Sequence, residues 1–374
     1  MARGRRRIVI RDSKKTALRL AFVVLILIAT AGLAVFLALS LKSCGTKLSI
    51  RTMPLQSSEL SEGTGDGLLY VRDGMLNFYN YKDENGNFAK YLSGTPTGIA
   101  GTDGIKAVWS ENSVQIIDAP FDIAPGGRIK ALRAGSMHVA VCIKKNNGDE
   151  TVTVYNSAGQ QVWELEFAEG SLVDFGFSEV SGRTLWTMEL SVNSGSPRTT
   201  ITTYDLSRMS ATGVINVAGQ LVERVCFTGS SVFVIGTETL VRYSSSTNRE
   251  IYRVQLHGFR VTDIAMDGAN LRLLLMPRNG GSASTVRILT VEQKDVANES
   301  ALTLTLDDGL VSCHLLGGNL IAVWDGTVRL YDKKGKTVET LSLPVGSTLA
   351  SKKLDDKHIL LERSGEFDLL TLGK

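Results

Sequence analysis

The residues best suited to binding a metal ion are dispersed along this sequence. The four histidines, His138, His257, His314 and His358, stand far apart and share no common spacing. Zinc and other metals that bind imidazole need several His, Cys or carboxylate ligands held close together. The pattern therefore predicts four histidines in separate strands or loops, and no metal site is expected.

Two acidic pairs, Asp307-Asp308 and Asp355-Asp356, are the next candidates for ion binding. Each pair lies beside residues that favour a turn. Calcium takes about six to eight oxygen ligands, which is more than a bare pair supplies. We interpret both pairs as solvated turn residues.

Motifs for nucleophilic or phosphate chemistry are missing from the sequence. It contains neither a nucleophile elbow nor a phosphate-binding loop. The glycine-rich stretch 63–67, GTGDG, leads into an apolar strand at 68–71 instead of a helix, which indicates a flexible connection. The sequence therefore predicts a noncatalytic protein without a cofactor.

The four cysteines show neither metal-binding spacing nor a compact disulfide framework. They are Cys44, Cys142, Cys226 and Cys313. The last three fall within apolar strand patterns, and a free cysteine in such a setting behaves as a small buried hydrophobic residue. We expect buried free thiols, with packing of the core rather than disulfides holding the domain together.

The elements that would position any site form a repeat, which is clearest in the stretch 310–346. Four apolar runs occur there, at 310–316, 320–324, 328–331 and 338–343, separated by glycine-containing turns. Four antiparallel strands in about 40 residues are the size of one β-propeller blade. The stretch is therefore interpreted as one blade.

The same pattern returns along the chain at steps of 38 to 49 residues. Its marker is the end of the third strand, where an alternating run closes on a large apolar or aromatic residue before a turn. The marker positions are Tyr79, Ile117, Tyr155, Tyr204, Tyr243, Leu289, Tyr331 and Leu370. They predict an all-β fold, an eight-bladed propeller of four-stranded antiparallel blades.

The end of the repeat supports this count. The last unit has only three strands, so an edge would stay open unless another segment supplied the fourth. Residues 47–53, KLSIRTM, are followed by Pro54 and resemble the outer strand at 337–344, TVETLSLP. We expect them to complete the last blade. Seven blades are the alternative, because the first inner strand would fall in the polar stretch 57–64.

The third-strand ends also carry a resemblance to a known group of proteins. Residues 331–335, YDKKG, and 155–159, YNSAG, fit a loose pattern of an apolar residue followed by Tyr-Asp-x-x-Gly. This pattern resembles the quinoprotein-like and YVTN-like propellers, a superfamily with WD40-like repeats. Trp324-Asp325 closes a second strand and the Gly-His element is absent, so the repeat is not a true WD40 repeat.

The chemistry of these residues predicts tyrosines that pack between blades with the hydroxyl in solvent, and Asp or Asn residues that form turns. Some quinoproteins bind pyrroloquinoline quinone, but the vicinal cysteines of those enzymes are absent and the blades here are shorter. No cofactor is therefore expected. Taken with its N-terminal segment, the whole chain resembles an uncharacterised family of bacterial membrane-anchored propeller proteins.

The N-terminal segment predicts a single membrane crossing. Residues 1–19 carry eight Lys or Arg and one acid, and 20–41 are 22 residues without a charge. About 20 apolar residues span a bilayer as a helix, and flanking basic residues stay in the cytoplasm. We expect a cytoplasmic tail at 1–19, a transmembrane helix at 20–41, a linker at 42–46 and an extracytoplasmic propeller at 47–374.

Two processing alternatives remain open for this segment. Ala38-Leu39-Ser40 offers a small-residue cleavage site, although the apolar stretch is longer than that of a signal peptide. The stretch 41–45, LKSCG, resembles a bacterial lipobox in which Cys44 would be acylated, although Lys42 is unfavourable there. In each case the propeller lies outside the cytoplasm.

Charge argues against a nucleic-acid partner. Residues 1–42 hold nine of the 41 basic residues and one of the 38 acidic residues, so the remainder has a net charge of about −5. Proteins that bind nucleic acid through an extended surface are usually basic. The basic tail is better explained by the orientation of the membrane segment.

Loop lengths suggest where a partner protein binds. The sequence predicts a minimal turn between second and third strands at Asp73-Gly74 and long loops at 144–150, 192–198 and 277–284. Binding residues are often placed on loops of a rigid scaffold. The candidate contact residues are Asn147, Asp149, Asn193, Ser194, Arg198, Arg278 and Asn279.

The sequence thus predicts a membrane-anchored scaffold or protein-binding module at the cell envelope. The alternatives are a small-molecule sensor or enzyme with a site at the propeller axis, or a protein that binds envelope polysaccharide. A polar axis with perturbed carboxylates would favour the sensor or enzyme, whereas an apolar or glycine-filled axis would favour the scaffold. If 47–53 is an outer strand, the long loops should point away from the membrane.

Overall fold

Short strands joined by tight turns make up the part of the chain that the structure describes. The computed structural model describes residues 47–56, 60–81, 83–267, 270–278, 285–291, 299–344 and 348–373. Within these ranges the chain forms 31 strands and one 3-10 helix, Glu84–Gly86. One compact unit spans Leu48–Leu372.

The predicted tail, membrane segment and linker all lie outside the described residues, as does Cys44. Among the residues that are described, no helix has the length and apolar character needed to cross a bilayer.

The strands form eight antiparallel sheets in chain order, which we number as blades 1 to 8. Blade 1 contains β2 (Ser61–Gly63), β3 (Gly67–Arg72), β4 (Met75–Asn80) and β5 (Phe88–Tyr91), and blade 2 contains β6 (Gly98–Gly101), β7 (Lys106–Trp109) and β8 (Val114–Ile116). Blade 3 contains β9 (Arg128–Ala134), β10 (His138–Lys144), β11 (Glu150–Asn156) and β12 (Gln161–Phe167). Blade 4 contains β13 (Leu172–Phe177), β14 (Thr184–Asn193), β15 (Ser196–Asp205) and β16 (Ser210–Ala218).

The second half repeats the arrangement. Blade 5 contains β17 (Val222–Thr228), β18 (Ser231–Gly236), β19 (Thr239–Ser244) and β20 (Glu250–Gln255), and blade 6 contains β21 (Phe259–Asp267), β22 (Asn270–Pro277), β23 (Thr285–Val291) and β24 (Glu299–Thr305). Blade 7 contains β25 (Leu310–Leu316), β26 (Asn319–Trp324), β27 (Thr327–Tyr331) and β28 (Thr337–Ser342). Blade 8 contains β29 (Thr348–Lys353), β30 (His358–Arg363), β31 (Glu366–Leu372) and β1 (Leu48–Gln56).

The prediction of eight blades is confirmed, and so is the way the ring closes. Strand β1 pairs antiparallel with β31, with Leu48 opposite Leu372 and Met53 opposite Phe367, so the first strand completes the last blade. The inner strand of blade 1 is β2, inside the polar stretch that made seven blades the alternative. Lys352 of blade 8 pairs with Glu62 of blade 1 at 2.9 Å and links the two ends of the ring.

Blade 2 departs from the four-stranded pattern. Its sheet has three strands, and only an isolated bridge between Val114 and Ile123 stands in the place of the fourth. Pro120 and Pro125 flank Ile123. Because proline has no N–H to donate to a strand ladder, these residues prevent a regular fourth strand from forming.

Apolar side chains fill the space between every pair of neighbouring blades. The described residues form eight buried clusters, and each combines side chains from two adjacent blades. The cluster between blades 8 and 1 joins Met53 and Phe367 to Leu68 and Tyr79. Because burial of apolar surface is the main favourable term in folding, these eight interfaces hold the ring closed.

The third-strand tyrosines and the residues after them have the predicted roles. Tyr155 and Tyr331 are buried between blades. The next residues, Asn156 and Asp332, each accept two backbone hydrogen bonds from the following turn at 2.8 to 3.0 Å. Such bonds from an Asn or Asp side chain replace backbone bonds and reverse the chain.

The prediction of buried free thiols is confirmed for three cysteines. Cys142, Cys226 and Cys313 are buried and unpaired. Burial raises the pKa of the Cys142 thiol to about 11 and that of Cys226 and Cys313 to about 12. These thiols therefore remain protonated at neutral pH and act as packing groups.

Candidate functional site

The turns between second and third strands share one face of the ring with the connections between blades. Backbone hydrogen bonds join the two sets: Arg278 N donates to Gly258 O at 2.9 Å, and Leu190 N donates to Ser171 O at 2.8 Å. We call this the hairpin face. The face opposite it carries the turns from first to second strands and from third to fourth strands, and there β1 begins at Leu48.

The hairpin-face loop of blade 3 spans 145–149, between β10 and β11. Its two predicted contact residues bind each other: Asn147 Nδ2 donates to Asp149 Oδ2 at 2.6 Å, and Asp149 N donates to Asn147 Oδ1 at 3.1 Å. Lys145 pairs with Glu166 at 2.7 Å, and this hydrogen bond raises the pKa of the lysine and lowers that of the glutamate. The loop is therefore ordered by its own polar groups.

Blade 4 does not contain the long loop that was expected at 192–198. Strands β14 and β15 continue through this segment and pair Val192 with Pro197, leaving a two-residue turn at Ser194-Gly195. Both turn residues have positive φ, 50° and 79°. Positive φ at both central positions gives a turn whose twist matches that of the strands, so the hairpin continues without a loop.

This correction changes the shape of the candidate surface. Strands β14 and β15 are ten residues long, whereas the corresponding strands of blade 5 have six each. At about 3.3 Å per residue, four more residues lengthen a strand by roughly 13 Å. The pair of strands from Thr184 to Asp205, which we call the blade 4 hairpin, is thus an extended element.

Three exposed aliphatic side chains lie at the hairpin-face end of blade 4. Val192 near the turn is 74% exposed, Val173 on β13 is 53% exposed, and Leu221 in the connection to blade 5 is 48% exposed. Gly219 N donates to Pro197 O at 3.0 Å and ties that connection to the hairpin. Val173 occupies a β-bulge, where the register shifts between Leu172 and Asp174. The three side chains therefore add apolar surface around the hairpin.

Arg198 adds a positive charge to the same element. Its Nη2 donates to Asn216 Oδ1 on β16 at 3.0 Å, and Thr200 Oγ1 donates to the same oxygen at 3.2 Å. Among the described residues no carboxylate forms an ion pair with Arg198. The guanidinium is thus positioned by a neutral amide and keeps its charge available.

Arg278 is bound differently from Arg198. Its guanidinium makes a bidentate pair with Glu223 at 2.7 and 3.0 Å, joining blades 6 and 5, and this pairing raises the arginine pKa. Asn279 and most of the predicted loop 277–284 lie outside the described residues. Asn147, Asp149, Ser194 and Arg198 lie on the adjacent blades 3 and 4, whereas Arg278 lies two blades further round the ring.

Polar residues on the innermost strands form a second cluster, which analysis of the sequence missed. His314 Nε2 lies 2.7 Å from Ser351 Oγ, and His314 Nδ1 lies 4.0 Å from Asp263 Oδ2. Lys353 Nζ lies 3.4 Å from Asp263 Oδ1 and donates to Ile264 O at 2.8 Å. These residues come from blades 6, 7 and 8, so no local sequence signal connects them.

A Ser, His and Asp together invite comparison with a hydrolytic triad. The separation of His314 and Asp263 is too long for a hydrogen bond. Both Asp263 oxygens instead accept backbone N–H groups, from Ile264 and Leu315, each at 2.7 Å. Ser351 also shares a short hydrogen bond with Ser312. The arrangement ties three blades together.

Burial lowers the pKa of His314, with Asp263 acting in the opposite direction and Lys353 adding to the decrease. Lys353 forms an ion pair with Asp263. On the opposite side of the ring, Arg133 of blade 3 forms an ion pair with Asp174 of blade 4 at 3.0 Å. Charged side chains of the innermost strands thus pair between blades, across blade 7 for Lys353 and Asp263 and between neighbours for Arg133 and Asp174. In the described part of the chain no three His, Cys, Asp or Glu side chains gather into a metal site.

Comparisons with known proteins agree with the fold. BamB from Moraxella catarrhalis is similar with 13% identity and a TM-score of 0.55, over 87% of this chain and 98% of that one. The WD40 domain of SCAP from fission yeast has 10% identity and a TM-score of 0.59, over 87% and 95%. The Dos1 propeller has 12% identity and a TM-score of 0.52, over 86% and 96%.

These likenesses confirm the propeller fold and concern the fold alone. Among curated proteins no match to the sequence is found. A protein-family model, described as "Family of unknown function (DUF5711)", matches residues 128–338. The matched region begins at β9 and includes all of blades 3 to 6.

Proposed function

The chain belongs to the Family of unknown function (DUF5711), and from that premise we propose that it acts as a noncatalytic protein-binding module at the cell envelope. The bound partner is another protein, which contacts the hairpin face. The blade 4 hairpin with Val192 at its tip is the centre of the contact surface.

The observation that carries this proposal is the exposure of Val192, Val173 and Leu221 around an extended hairpin. Single exposed aliphatic residues are normal on a protein surface. Three at one end of one blade, beside the positive charge of Arg198, provide an apolar centre with a polar edge. Protein interfaces commonly combine these two features.

The polar groups elsewhere argue for binding over catalysis. Asn147 and Asp149 satisfy each other, Arg278 is paired with Glu223, and the two oxygens of Asp263 accept backbone N–H groups. Catalytic groups need hydrogen-bonding capacity directed at a reacting atom. The groups described here direct theirs at the protein itself.

We also propose that residues 20–41 anchor the chain in a membrane, with 1–19 in the cytoplasm and the propeller outside. The support is the length of the uncharged stretch and the basic residues before it. Five residues, 42–46, then precede Lys47, and they reach at most about 18 Å. Since β1 begins on the face opposite the hairpin face, the hairpin face would point away from the bilayer.

Labelling of single cysteines in intact cells tests the anchoring and the orientation together. Ser194→Cys places a thiol on the hairpin face, and Ser157→Cys places one in a turn on the opposite face; both positions are exposed. A membrane-impermeant maleimide should modify Ser194→Cys quickly and Ser157→Cys slowly. Faster labelling of Ser157→Cys would overturn the orientation, and no labelling of either before lysis would overturn the extracytoplasmic location.

The binding function is tested by comparing proteins recovered with different variants of the full chain. Val192→Asp puts a charge at the hairpin tip, whereas Val338→Asp makes the same change at an exposed valine on the outer strand of blade 7. A specific partner should be recovered with wild type and Val338→Asp and lost with Val192→Asp. Recovery of the same proteins with all three would refute the proposed surface.

A further inference from the structure

A cavity of about 240 Å³ lies between blades 4 and 5 on the face opposite the hairpin face. Its walls come from the turn between β13 and β14, the turns of blade 5 near Gly229 and Asn248, and the outer strands of blade 4. Sites for drug-sized molecules usually measure about 300–1,000 Å³. The cavity is therefore suited to a smaller ligand.

The lining of this cavity is polar but uncharged. Seven Ser or Thr side chains and Asn248 contribute to it, together with Val180, Phe227 and Val232, and no Asp, Glu, Lys or Arg is among the lining residues. The adjacent Glu179 accepts a hydrogen bond from Phe227 N at 3.2 Å. A charged ligand would lose its hydration here without gaining an opposite charge, so the chemistry favours a neutral ligand.

One lining residue has a hydroxyl whose hydrogen-bonding capacity the protein leaves unused. Thr228 is only 5% exposed, and its Oγ1 is buried without a partner among the described residues. A buried polar atom without a partner destabilises a protein unless something else binds it. Thr228 is one of the residues that line the cavity, so rotation about its Cα–Cβ bond to another staggered rotamer would turn the hydroxyl towards a bound ligand.

The position of the Asn248 side chain beside the cavity follows from its backbone conformation and from its contact with Gly213 of blade 4. Asn248 adopts a positive φ of 54°, and its N donates to Ser244 O at 2.9 Å. Its side chain lies against Gly213 so closely that a Cβ on Gly213 would fall 2.3 Å from the amide nitrogen. The absence of a side chain at Gly213 thus makes room for the amide. Thr203 and Thr212, 3.1 Å apart at their hydroxyls, lie on the same wall.

We propose that this cavity binds one neutral sugar ring. A pyranose carries hydroxyls around its edge that both donate and accept hydrogen bonds, and serine and threonine hydroxyls do the same. Its C–H faces pack on apolar surface, which Phe227, Val180 and Val232 supply. The amide of Asn248, which lies against Gly213, and the hydroxyl of Thr228, once turned towards the ligand, supply two polar contacts.

The test measures binding of neutral sugars to the full chain by saturation-transfer NMR, in a detergent without a sugar head group. The probes are glucose, galactose, mannose and N-acetylglucosamine. At least one should bind saturably, and Thr228→Val should weaken it tenfold or more while its melting temperature stays equal or rises. Thr187→Val is the matched control, because Thr187 Oγ1 is also buried without a partner but lies outside the cavity. It should bind as wild type does.

A second variant reports on the other polar contact. Gly213→Ala should displace the Asn248 side chain and weaken binding of the same sugar. The proposal is overturned if no probe binds saturably, if Thr228→Val binds as wild type does, or if Thr187→Val loses binding equally.

Discussion

Thr52 of the first strand donates a 2.8 Å hydrogen bond to Asp368 of the last strand, so the two ends of the ring meet within blade 8. Asp368 is also paired with Arg363 through a short contact. The aspartate side chain is 2% exposed, whereas Glu366, the other acid near Arg363, is 69% exposed. One arginine thus has a buried and a solvated carboxylate partner.

We predict unequal effects from removing these two carboxylates. Asp368→Ala leaves the mostly buried Arg363 without its main partner and should lower the free energy of unfolding by about 3–5 kcal/mol. Glu366→Ala removes an exposed pair and should cost less than about 1 kcal/mol. Urea unfolding of both variants gives the comparison, and equal effects would contradict the assignment of Asp368 to the interior of blade 8.

The apolar contacts that β1 makes where the ring closes give a second prediction. Met53 is buried between blades 8 and 1, so Met53→Ala should cost about 2–5 kcal/mol of unfolding free energy. Ser49→Ala, in the same strand but exposed, should change it by less than about 0.5 kcal/mol. If the two changes had the same small effect in urea unfolding, β1 would not contribute to the core.

His314 makes stability depend on pH. Burial lowers its pKa below the ordinary value of about 6.5, while Asp263 acts in the opposite direction and Lys353 adds to the decrease. At a pH between the folded and the unfolded pKa of His314, the unfolded chain binds more protons than the folded chain. The contribution of the neutral imidazole to the free energy of unfolding is therefore fully present above about pH 6.5 and is lost as the pH falls through the folded pKa. The slope is at most about 1.4 kcal/mol per pH unit.

The variant His314→Gln isolates this effect. The free energy of unfolding is measured by urea unfolding at each pH, and the wild-type value minus the variant value should be smaller at pH 5 than at pH 7. A difference that stays constant or grows in acid would contradict the burial of a neutral imidazole.

The burial of Cys142, Cys226 and Cys313 predicts that the native protein resists alkylation. With the pKa of Cys142 raised to about 11 and those of Cys226 and Cys313 to about 12, almost no thiolate is present at pH 8. Iodoacetamide should leave all three unmodified in the native chain and react with all three in guanidinium, as read by peptide mass spectrometry. Fast native modification of any of them would contradict its burial.

Much of the fold was predictable because its signals are local. Tyr331 at a strand end and Asp332 in the following turn recur from blade to blade, and the likeness of 47–53 to 337–344 indicated the strand that closes the ring. The segment 192–198 was misjudged because its Ser, Gly and Pro residues are typical of loops. Pairing of Val192 with Pro197 in an extended hairpin outweighed that preference.

The contacts between blades could not be predicted from the same local signals. His314, Asp263 and Ser351 lie on different blades, and so do Thr228 and Thr203 beside the cavity. Their proximity follows from how neighbouring blades pack, which depends on the eight apolar interfaces together. A sequence repeat shows which strand a residue occupies but not which side chain of the next blade it meets.

The central claim is that the tip of the blade 4 hairpin contacts a partner protein. Photo-crosslinking in intact cells that produce the protein tests it most directly, with a photoreactive amino acid at Val192 in the full chain and, as control, at Val338. We predict one light-dependent adduct of higher mass from position 192, with the same partner each time, and none from position 338. No adduct from position 192, or the same adducts from both positions, would contradict the claim.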